Sequence, residues 1–379
     1  MFGENCLNDL DQCATHMALS VERVRPTVSE SAGSNSPVRE TVGVSDRRYR
    51  PVLLPLAALL LVTTVLSGCS STGGRRAEQA RSRAATAGGA VDTPRWTVAM
   101  VTHAGAGDAF WDTVRKGAEQ AAAKDNITFL YSNDAQTQNQ VQLIQAAIDQ
   151  RVDGLLVSLA KGEALTGVLA KAKAAGIPLI SINSGQEFSA RFGALTHIGQ
   201  DESTAGRAAG TELGKRGRKS VLCVIHEQGN VGQEQRCGGA KGAFNGTLQT
   251  LYVDGVNLPD ARAAIAAKLQ ADPALDTVLT LSAPLAATGL QAVQDARRPV
   301  ELDTFDLGTQ VVTGLQAGTV GFAVDQQPYL QGYQGVDLLW LYRYNLDVLG
   351  GGGPVLTGPQ ILTKEDAAAL ATYVARGTR

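Results

Sequence analysis

Short apolar runs alternate with segments of helical periodicity from residue 95 onward. The runs predict strands, and the segments between them, whose apolar residues recur every three or four positions, predict helices. In the first half the predicted strands are 96–103, 127–131, 154–159 and 178–183, and the predicted helices are 109–124, 138–150 and 162–175. Repeated strand–helix units require a parallel sheet covered by helices on both faces.

The same pattern restarts after residue 219. The predicted strands are 220–225, 251–253 and 277–281, and the predicted helices are 235–248, 260–270 and 285–296. Two similar halves indicate duplicate α/β domains, and a chain of 379 residues is long enough for two. In open α/β sheets ligands bind beyond the carboxyl ends of the strands, so the residues after each strand are the candidates for a site.

Hydrogen-bonding side chains follow the predicted strands in both halves. They lie at 103–111, Asn133, Asp134, Asn183, Ser184, 226–236, Ser282, Asp306 and 325–327. The last group, Asp325-Gln-Gln327, stands between a strand-like run and Pro328, where a buried polar side chain is costly unless it is hydrogen-bonded. With the adjacent aromatics Phe110 and Trp111, these groups suit a sugar, whose C–H faces stack on rings and whose hydroxyls donate and accept hydrogen bonds.

An export signal precedes this body of the chain. The basic head Arg47-Arg-Tyr-Arg50 is followed by an apolar run, Pro51 to Leu66, which is as long as a signal-peptide core and shorter than the roughly 20 residues that span a bilayer. The run ends in Leu66-Ser-Gly-Cys69, which resembles the lipobox of bacterial lipoproteins. That resemblance implies a signal peptide at 47–68, a lipid on Cys69 and a flexible tether at 69–94. A chance cysteine after an apolar run is the alternative.

Residues 1–46 are polar and rich in turn-forming residues, and they stand ahead of a signal that should begin the chain. We interpret them as an over-long, disordered extension, with true initiation near Arg47. Cys6 and Cys13 would then have no structural or functional role. Cys223 and Cys237 remain, and in an oxidising compartment they either form a disulfide or stay as two buried free thiols.

Composition removes several other classes of function. The formal net charge is −2 and the basic residues are dispersed, which argues against nucleic acid. Neither the four histidines nor the five cysteines show the spacing of a metal site. We therefore expect no metal, no cofactor and no nucleic-acid partner.

Four motifs occur in order behind the signal. They are Gly107-Asp-Ala-Phe-Trp111, His197-Ile-Gly-Gln-Asp-Glu202 with Ala205-Gly-Arg207, Glu234-Gln-Arg-Cys-Gly-Gly-Ala-Lys241, and Val324-Asp-Gln-Gln-Pro-Tyr-Leu-Gln-Gly-Tyr333. From Trp96 to about Lys364 the chain resembles the ribose-binding-type (type I) periplasmic binding proteins, the capture subunits of simple-sugar ABC importers. The resemblance implies an α/β fold of two Rossmann-like lobes joined by three crossovers, with a ligand cleft between them. The lobes would be 95–198 plus 327–357 and 199–326 plus 358–379.

The resemblance also implies a set of ligand contacts. Matched position by position, they are Asp108, Phe110, Trp111, Asn183, Ser184, Glu234, Arg236, Ser282, Asp306 and Gln326. Asn183 and Ser184 replace an Asp-Arg pair found in many relatives, and Ser282 replaces a frequent Asn. These departures leave the identity of the sugar open.

Several of these residues have a purely structural alternative. Phe110 and Trp111 suit the core at a helix start, and His103 suits a satisfied core position as well as a ligand contact. Arg236 could pair with Glu234 or Glu227, Asp306 could cap a helix near Thr309, and Gln327 could be a helix cap beside the ligand contact Gln326.

Three other functions are alternatives to the capture of a sugar. An enzyme is disfavoured because the chain lacks a nucleophile motif and a Walker loop, and Gly105-Ala-Gly-Asp-Ala-Phe110 has Phe where a dinucleotide fingerprint needs its third Gly. A lac-repressor-type regulator would carry a helix-turn-helix where this chain has an export signal. A sensor or importer component that binds a cyclitol, sugar alcohol, nucleoside or autoinducer would have the same two lobes, closing on the ligand like a hinged clamp, and is the third alternative.

The partners expected are therefore a small neutral sugar or polyol, ABC permease subunits and the membrane, reached through the lipid on Cys69. We expect a monomer held outside the cytoplasm.

Overall fold

The computed structural model describes residues 91–105 and 107–379, which lie in one compact unit. The predicted extension, the signal peptide, Cys69 and most of the tether lie outside the described residues. Within the described ranges, no helix has both the length and the apolar character needed to cross a bilayer.

The first series consists of five strands with four α-helices between them. The strands are β1 (Thr97–Thr102), β2 (Thr128–Asn133), β3 (Gly154–Ser158), β4 (Leu179–Ile182) and β5 (His197–Gln200). The helices between them are α1 (Ala109–Lys124), α2 (Thr137–Asp149), α3 (Thr166–Ala174) and α4 (Gln186–Phe192), with a 3-10 turn at Gly162–Leu165 before α3.

The second series begins with helix α5 (Glu202–Lys215). Its strands are β6 (Ser220–Ile225), β7 (Thr247–Tyr252), β8 (Thr277–Thr280), β9 (Glu301–Phe305) and β10 (Val320–Asp325). Its helices are α6 (Val231–Ala243), α7 (Leu258–Ala271), α8 (Ala283–Asp295) and α9 (Thr309–Ala317). The chain ends with α10 (Pro328–Asn345), a 3-10 turn (Leu349–Gly352), β11 (Val355–Gly358), β12 (Gln360–Leu362) and α11 (Lys364–Arg376).

Two six-stranded sheets result, and both repeat one strand order. The first is β11-β5-β4-β3-β1-β2 and the second is β12-β10-β9-β8-β6-β7, so each contains the doubly wound order 2-1-3-4-5. Neighbouring strands are parallel except for the antiparallel pair β10 and β12. The predicted α/β fold with parallel sheets is confirmed.

The chain passes from one sheet to the other three times, after β5, after β10 and after β11. We call the first sheet with α1–α4 and α10 the first lobe, and the second sheet with α5–α9 and α11 the second lobe. Helix α10 packs against α1 in the first lobe, and α11 packs against α9 in the second.

One helix and one strand were predicted in the wrong register. The helix predicted at 235–248 spans Val231–Ala243, and the strand predicted at 251–253 spans Thr247–Tyr252. The helix begins early because the side chain of Asn230 accepts hydrogen bonds from the backbone N–H groups of Gly232 and Gln233, which satisfies two donors of the first turn.

Buried apolar strands form the centre of each lobe. All residues of β3 and of β6 are buried, as expected for parallel strands covered on both faces. Cys223 of β6 and Cys237 of α6 form a disulfide, so the first of the two alternatives for these cysteines is the one that the structure contains.

Helices α1 and α10 approach closely through two glycines. A Cβ atom on Gly332 would lie 1.9 Å from the carbonyl oxygen of Val114, and one on Gly117 would lie 2.0 Å from that of Tyr329. Backbone therefore packs against backbone at this contact, with no room for a methyl group.

We predict opposite effects for two glycine-to-alanine substitutions in helices. Gly332→Ala should lower the free energy of unfolding by about 1–3 kcal/mol, because the helices must separate to admit the methyl group. Gly214→Ala in α5, where a Cβ meets nothing within 4 Å, should raise it by about 0.5–1 kcal/mol through helix propensity. Urea denaturation measures both. Equal effects of the two substitutions would contradict the packing described.

Candidate ligand-binding site

A cleft of about 860 Å³ lies where the carboxyl ends of the two sheets face each other. Its volume is within the range of roughly 300–1,000 Å³ usual for small-molecule sites. Side chains of both lobes and of the crossover after β10 line it. Nine of the ten predicted contact residues are among them: Asp108, Phe110, Trp111, Asn183, Ser184, Arg236, Ser282, Asp306 and Gln326.

A chain of buried hydrogen bonds joins the two lobes at the inner end of the cleft. Gln326 Nε2 donates to Asp306 Oδ1 of the second lobe at 2.7 Å. Asn183 Nδ2 of the first lobe donates to Gln326 Oε1 at 3.0 Å, and Ser184 Oγ donates to Asn183 Oδ1 at 2.9 Å. Four polar side chains that follow three different strands are thus hydrogen-bonded to one another.

The backbone adopts a left-handed conformation at three of these turns. The φ angle is 65° at Asn183, 66° at Asp306 and 55° at Gln327, each directly after a strand or one residue later. Asn and Asp tolerate this region better than other non-glycine residues do. Strain of this kind is characteristic of functional sites, and here it turns each side chain sharply at the strand end.

Burial dominates the electrostatics of Asp306. It raises the pKa of the carboxyl to about 7, although the nearby Arg236 guanidinium acts in the opposite direction. Asp306 does not cap α9, because Gly308 occupies the N-cap position of that helix. Its carboxyl is instead held by Gln326.

Arg236 is buried in an ion pair that the sequence analysis missed. Its Nε and Nη2 atoms donate to the two carboxylate oxygens of Glu202 at 2.6 and 2.8 Å, and Nη1 donates to the carbonyl oxygen of Leu281 at 3.2 Å. These bonds use three of the five guanidinium N–H groups, which leaves two as donors to a ligand. Neither Glu234 nor Glu227, the partners considered from sequence, makes this pair.

Glu234 is the one predicted contact that does not line the cleft. Because α6 begins at Val231, Glu234 falls on the exposed face of the helix, where its carboxylate accepts from Tyr252 Oη at 3.1 Å. Gln233, one residue earlier, lines the cleft instead and accepts from the backbone N–H groups of His226 and Glu227. The error is one of helical register.

The aromatic residues at the start of α1 form part of the wall. The Phe110 and Trp111 rings meet edge to face at 5.3 Å, and Trp111 meets the His103 ring in the same way at 5.1 Å. Asp108 caps the helix, since its Oδ1 accepts from the backbone N–H groups of Phe110 at 2.9 Å and Trp111 at 3.4 Å. Burial raises the pKa of Asp108 to about 6.

His103 takes part in a contact between the lobes. Its Nδ1 atom is 2.7 Å from Ser158 Oγ within the first lobe, and its Nε2 atom is 3.5 Å from Glu227 Oε2 of the second. Burial lowers the pKa of His103, so the ring favours its neutral form.

Two further hydrogen bonds close the lobes around the cleft. The backbone N–H of Val231 donates to the carbonyl oxygen of Ala160 at 3.1 Å, and Gln235 Nε2 donates to Glu187 Oε1 at 3.0 Å. In each pair one residue belongs to each lobe. The structure is therefore a closed arrangement of the clamp.

The crossover after β10 is held by Arg379 and by Thr357 of β11. Arg379 Nε donates to Asp325 Oδ2 at 2.7 Å, and Gln327 Nε2 donates to the carbonyl oxygen of Thr357 at 2.7 Å. Gln327 occupies the N-cap position of α10 but makes no side-chain capping bond. Arg379 and Thr357 thus supply partners for the side chains of Asp325 and Gln327, while Gln326 lies in the cleft wall.

Comparison with known proteins gives one domain match and several similar structures. A periplasmic binding protein domain is matched over residues 98–344. A carbohydrate transporter from Acidothermus cellulolyticus 11B, solved in complex with myo-inositol, is 47% identical; the match covers 76% of this chain and 100% of that one, with a TM-score of 0.74. An ABC transporter solute-binding protein from Burkholderia graminis C4D1M, solved with D-arabinose, is 23% identical over 73% of this chain and 98% of that one, with a TM-score of 0.65.

Among curated proteins, the xylose/arabinose-binding protein XylF of Sulfolobus acidocaldarius is 23% identical over 299 residues, which is 72% of each chain.

We predict that Asp306 makes the folded state less stable as the pH rises. In the unfolded chain its pKa is near 4, so between about pH 4 and pH 7 the unfolded carboxyl is ionised while the folded one, with a pKa of about 7, keeps its proton. The folded state then binds more protons, and the free energy of unfolding falls with pH by up to about 1.4 kcal/mol per unit. Asp306→Asn, which cannot ionise, should show a shallower fall.

Urea denaturation at several pH values in that interval measures the slopes. The control is Asp295→Asn, at an exposed ion pair with Arg262, whose pH profile should run parallel to that of the unmodified protein. A parallel profile for Asp306→Asn as well would show that burial does not perturb this carboxyl.

Proposed function

We propose that this chain, which belongs to the periplasmic binding protein family, captures a small neutral polyol outside the cytoplasm and delivers it to an ABC importer. The family consists of substrate-binding proteins, not enzymes, and its members include sugar-binding proteins of ABC transporters. The observation that carries the proposal is the buried chain Asp306–Gln326–Asn183, which joins both lobes at the inner end of the cleft.

The cleft offers what a ring with several hydroxyls needs. Asp306 and Asn183 supply acceptors, the two remaining N–H groups of Arg236 supply donors, and Phe110 with Trp111 supplies apolar surface for the C–H face of the ring. Because Glu202 already neutralises Arg236, the guanidinium has no excess charge to offer an anion. A neutral ligand is therefore favoured over a phosphorylated one.

Within this class a cyclitol is a second candidate beside a sugar. The observation that favours it is the 47% identity to the Acidothermus protein, which was solved with myo-inositol. Asn183 and Ser184 stand where many sugar-binding relatives have an Asp-Arg pair. Replacement of that pair is consistent with a cyclitol, whose ring consists of carbon alone and has neither the ring oxygen nor the anomeric hydroxyl of a sugar.

Capture follows from the distribution of contacts over the lobes. Asn183 and the aromatics belong to the first lobe, Asp306 and Arg236 belong to the second, and Gln326 lies at the crossover. A ligand reaches all of them only when the lobes are closed, so it stabilises the closed state by its differential affinity for the two states. The closed clamp excludes water and presents the surface that a permease recognises.

We test capture by a thermal-shift screen of the chain from residue 69 onward with Cys69→Ser, against myo-inositol, other cyclitols, pentoses, hexoses and sugar alcohols. A ligand at 100 times its dissociation constant adds about 2.7 kcal/mol to the free energy of unfolding, which raises the melting temperature by several degrees. Asp306→Ala should weaken binding of the best ligand by at least about tenfold, or 1.4 kcal/mol, as measured by titration calorimetry.

The matched control for that substitution is Glu234→Gln, because Glu234 is exposed and outside the cleft wall. Its affinity should equal that of the unmodified protein. A folded sample that no polyol stabilises would contradict the proposed function, and unchanged affinity in Asp306→Ala would contradict the proposed site.

We further propose that the protein is a monomer anchored through a lipid on Cys69, with the following residues as tether. Cys69→Ser should abolish incorporation of a labelled fatty acid into the protein, because the substitution removes the thiol that would carry the lipid. Incorporation of the label into the variant would contradict the lipid anchor.

A further inference from the structure

Most of the large apolar side chains exposed in the described part of the chain come from one short segment. Of eight such residues, five lie between positions 344 and 356: Tyr344, Leu346, Val348, Leu349 and Leu356. We call these five residues the apolar patch. Leu346 is 72% exposed and Leu356 is 57% exposed, and Asp347 is the single charged residue in this segment of thirteen. Exposed apolar side chains gathered in this way usually mark an interaction surface.

The backbone at Leu346 carries an additional cost. This residue ends α10 in the left-handed conformation, with φ at 62°, a position that normally favours Gly or Asn. A bulky side chain in that region is strained, and an exposed leucine contributes nothing to the core. Stability of the folded chain alone therefore gives no reason for a leucine here.

Tyr344, Leu346, Val348 and Leu349 lie at the end of the first lobe that is remote from the cleft, whereas Leu356 pairs with Gly199 of β5 and lies partway back toward the cleft. Helix α10 starts beside Gln326 in the cleft wall and runs for 18 residues, about 27 Å, before it reaches Leu346. Strand β11 then returns toward the cleft, in parallel with β5.

The N-terminal tether enters the fold beside the apolar patch. Trp340 Nε1 donates to Thr93 Oγ1 at 3.3 Å, and the Trp340 ring stacks on Tyr344 with centroids 5.2 Å apart. Thr93 follows Cys69 by 24 residues, and the flexible tether predicted from the sequence would, at that length, have a root-mean-square span of roughly 27 Å. A lipid on Cys69 would thus keep this end of the first lobe near the bilayer.

We propose that the apolar patch rests on the lipid bilayer, with its aliphatic side chains inserted among the headgroups and the Trp340–Tyr344 pair at the interface. Aromatic rings with one polar atom favour that depth of a membrane. This inference builds on the proposed lipid anchor, which brings the patch to the surface.

Two features favour a bilayer over a second copy of the chain. A standard protein–protein interface uses about 20–30 residues from each partner, whereas the apolar patch comes from one segment of thirteen residues. The nearby cation Arg343 is paired with Asp153 at 3.1 Å, so the segment has no excess positive charge. Binding should therefore depend on apolar insertion and change little with salt.

The test is co-sedimentation of the unlipidated chain, residues 69–379 with Cys69→Ser, with vesicles of phosphatidylcholine at low and high salt. We expect binding at both salt concentrations, and we expect Leu346→Asn with Leu356→Thr to lower the partition coefficient by about tenfold or more. Asn tolerates the left-handed backbone, so this pair of substitutions should leave the fold intact, which the melting temperature verifies. The control is Tyr373→Ser, at an exposed residue of α11 in the second lobe, which should bind as the unmodified protein does.

Four outcomes would overturn the proposal. The first is absence of vesicle binding, and the second is binding that requires anionic lipid and disappears at high salt. The third is an equal loss of vesicle binding in the patch variant and in the Tyr373 control. The fourth is a patch variant that changes self-association or permease binding while its vesicle binding is unaltered. The protein in this assay carries no polyol and no lipid on residue 69. Its failure therefore stays separate from failure of polyol capture or of the anchor on Cys69.

Discussion

The amide of Gln326 is buried where the chain crosses from the second lobe to the first, and both of its polar atoms need partners there. Its oxygen accepts from Asn183 of the first lobe, and its nitrogen donates to Asp306 of the second. Separation of the lobes would leave at least one of these groups dependent on water. The same side chain thus links the position of the lobes to the polar surface of the cleft, and a ligand that binds this surface acts on both.

Much of the fold could be predicted from sequence because its periodicity is local. Parallel strands covered on both faces appear as short apolar runs, and α1 and β6 were predicted with the bounds that the structure gives, 109–124 and 220–225. The polar residues after the strands were also visible, since Asp306 and Gln326 each interrupt an otherwise apolar context. The lobe architecture came from four ordered motifs, and the strand order was added by the structure.

The remainder depended on contacts between distant residues. Glu202 and Arg236 are 34 positions apart and pair only because α5 and α6 pack together. Their carboxylate and guanidinium were both within quoted motifs, but nothing local identifies them as partners. The wrong register of α6 had a local cause, the cap at Asn230, and it placed Glu234 in the cleft where Gln233 belongs. Exposure of the apolar patch was likewise invisible, because apolar residues in a sequence suggest a core.

The central claim is that the inner end of the cleft holds a neutral polyol ring between the two lobes. A crystal structure of the protein grown with myo-inositol tests this claim most directly. The account predicts a ring in the cleft beside Phe110 and Trp111, with hydroxyls within hydrogen-bond distance of Asp306, Arg236 and Asn183. A closed clamp with the polyol bound elsewhere, or with Asp306 and Arg236 free of contact to it, would contradict the account.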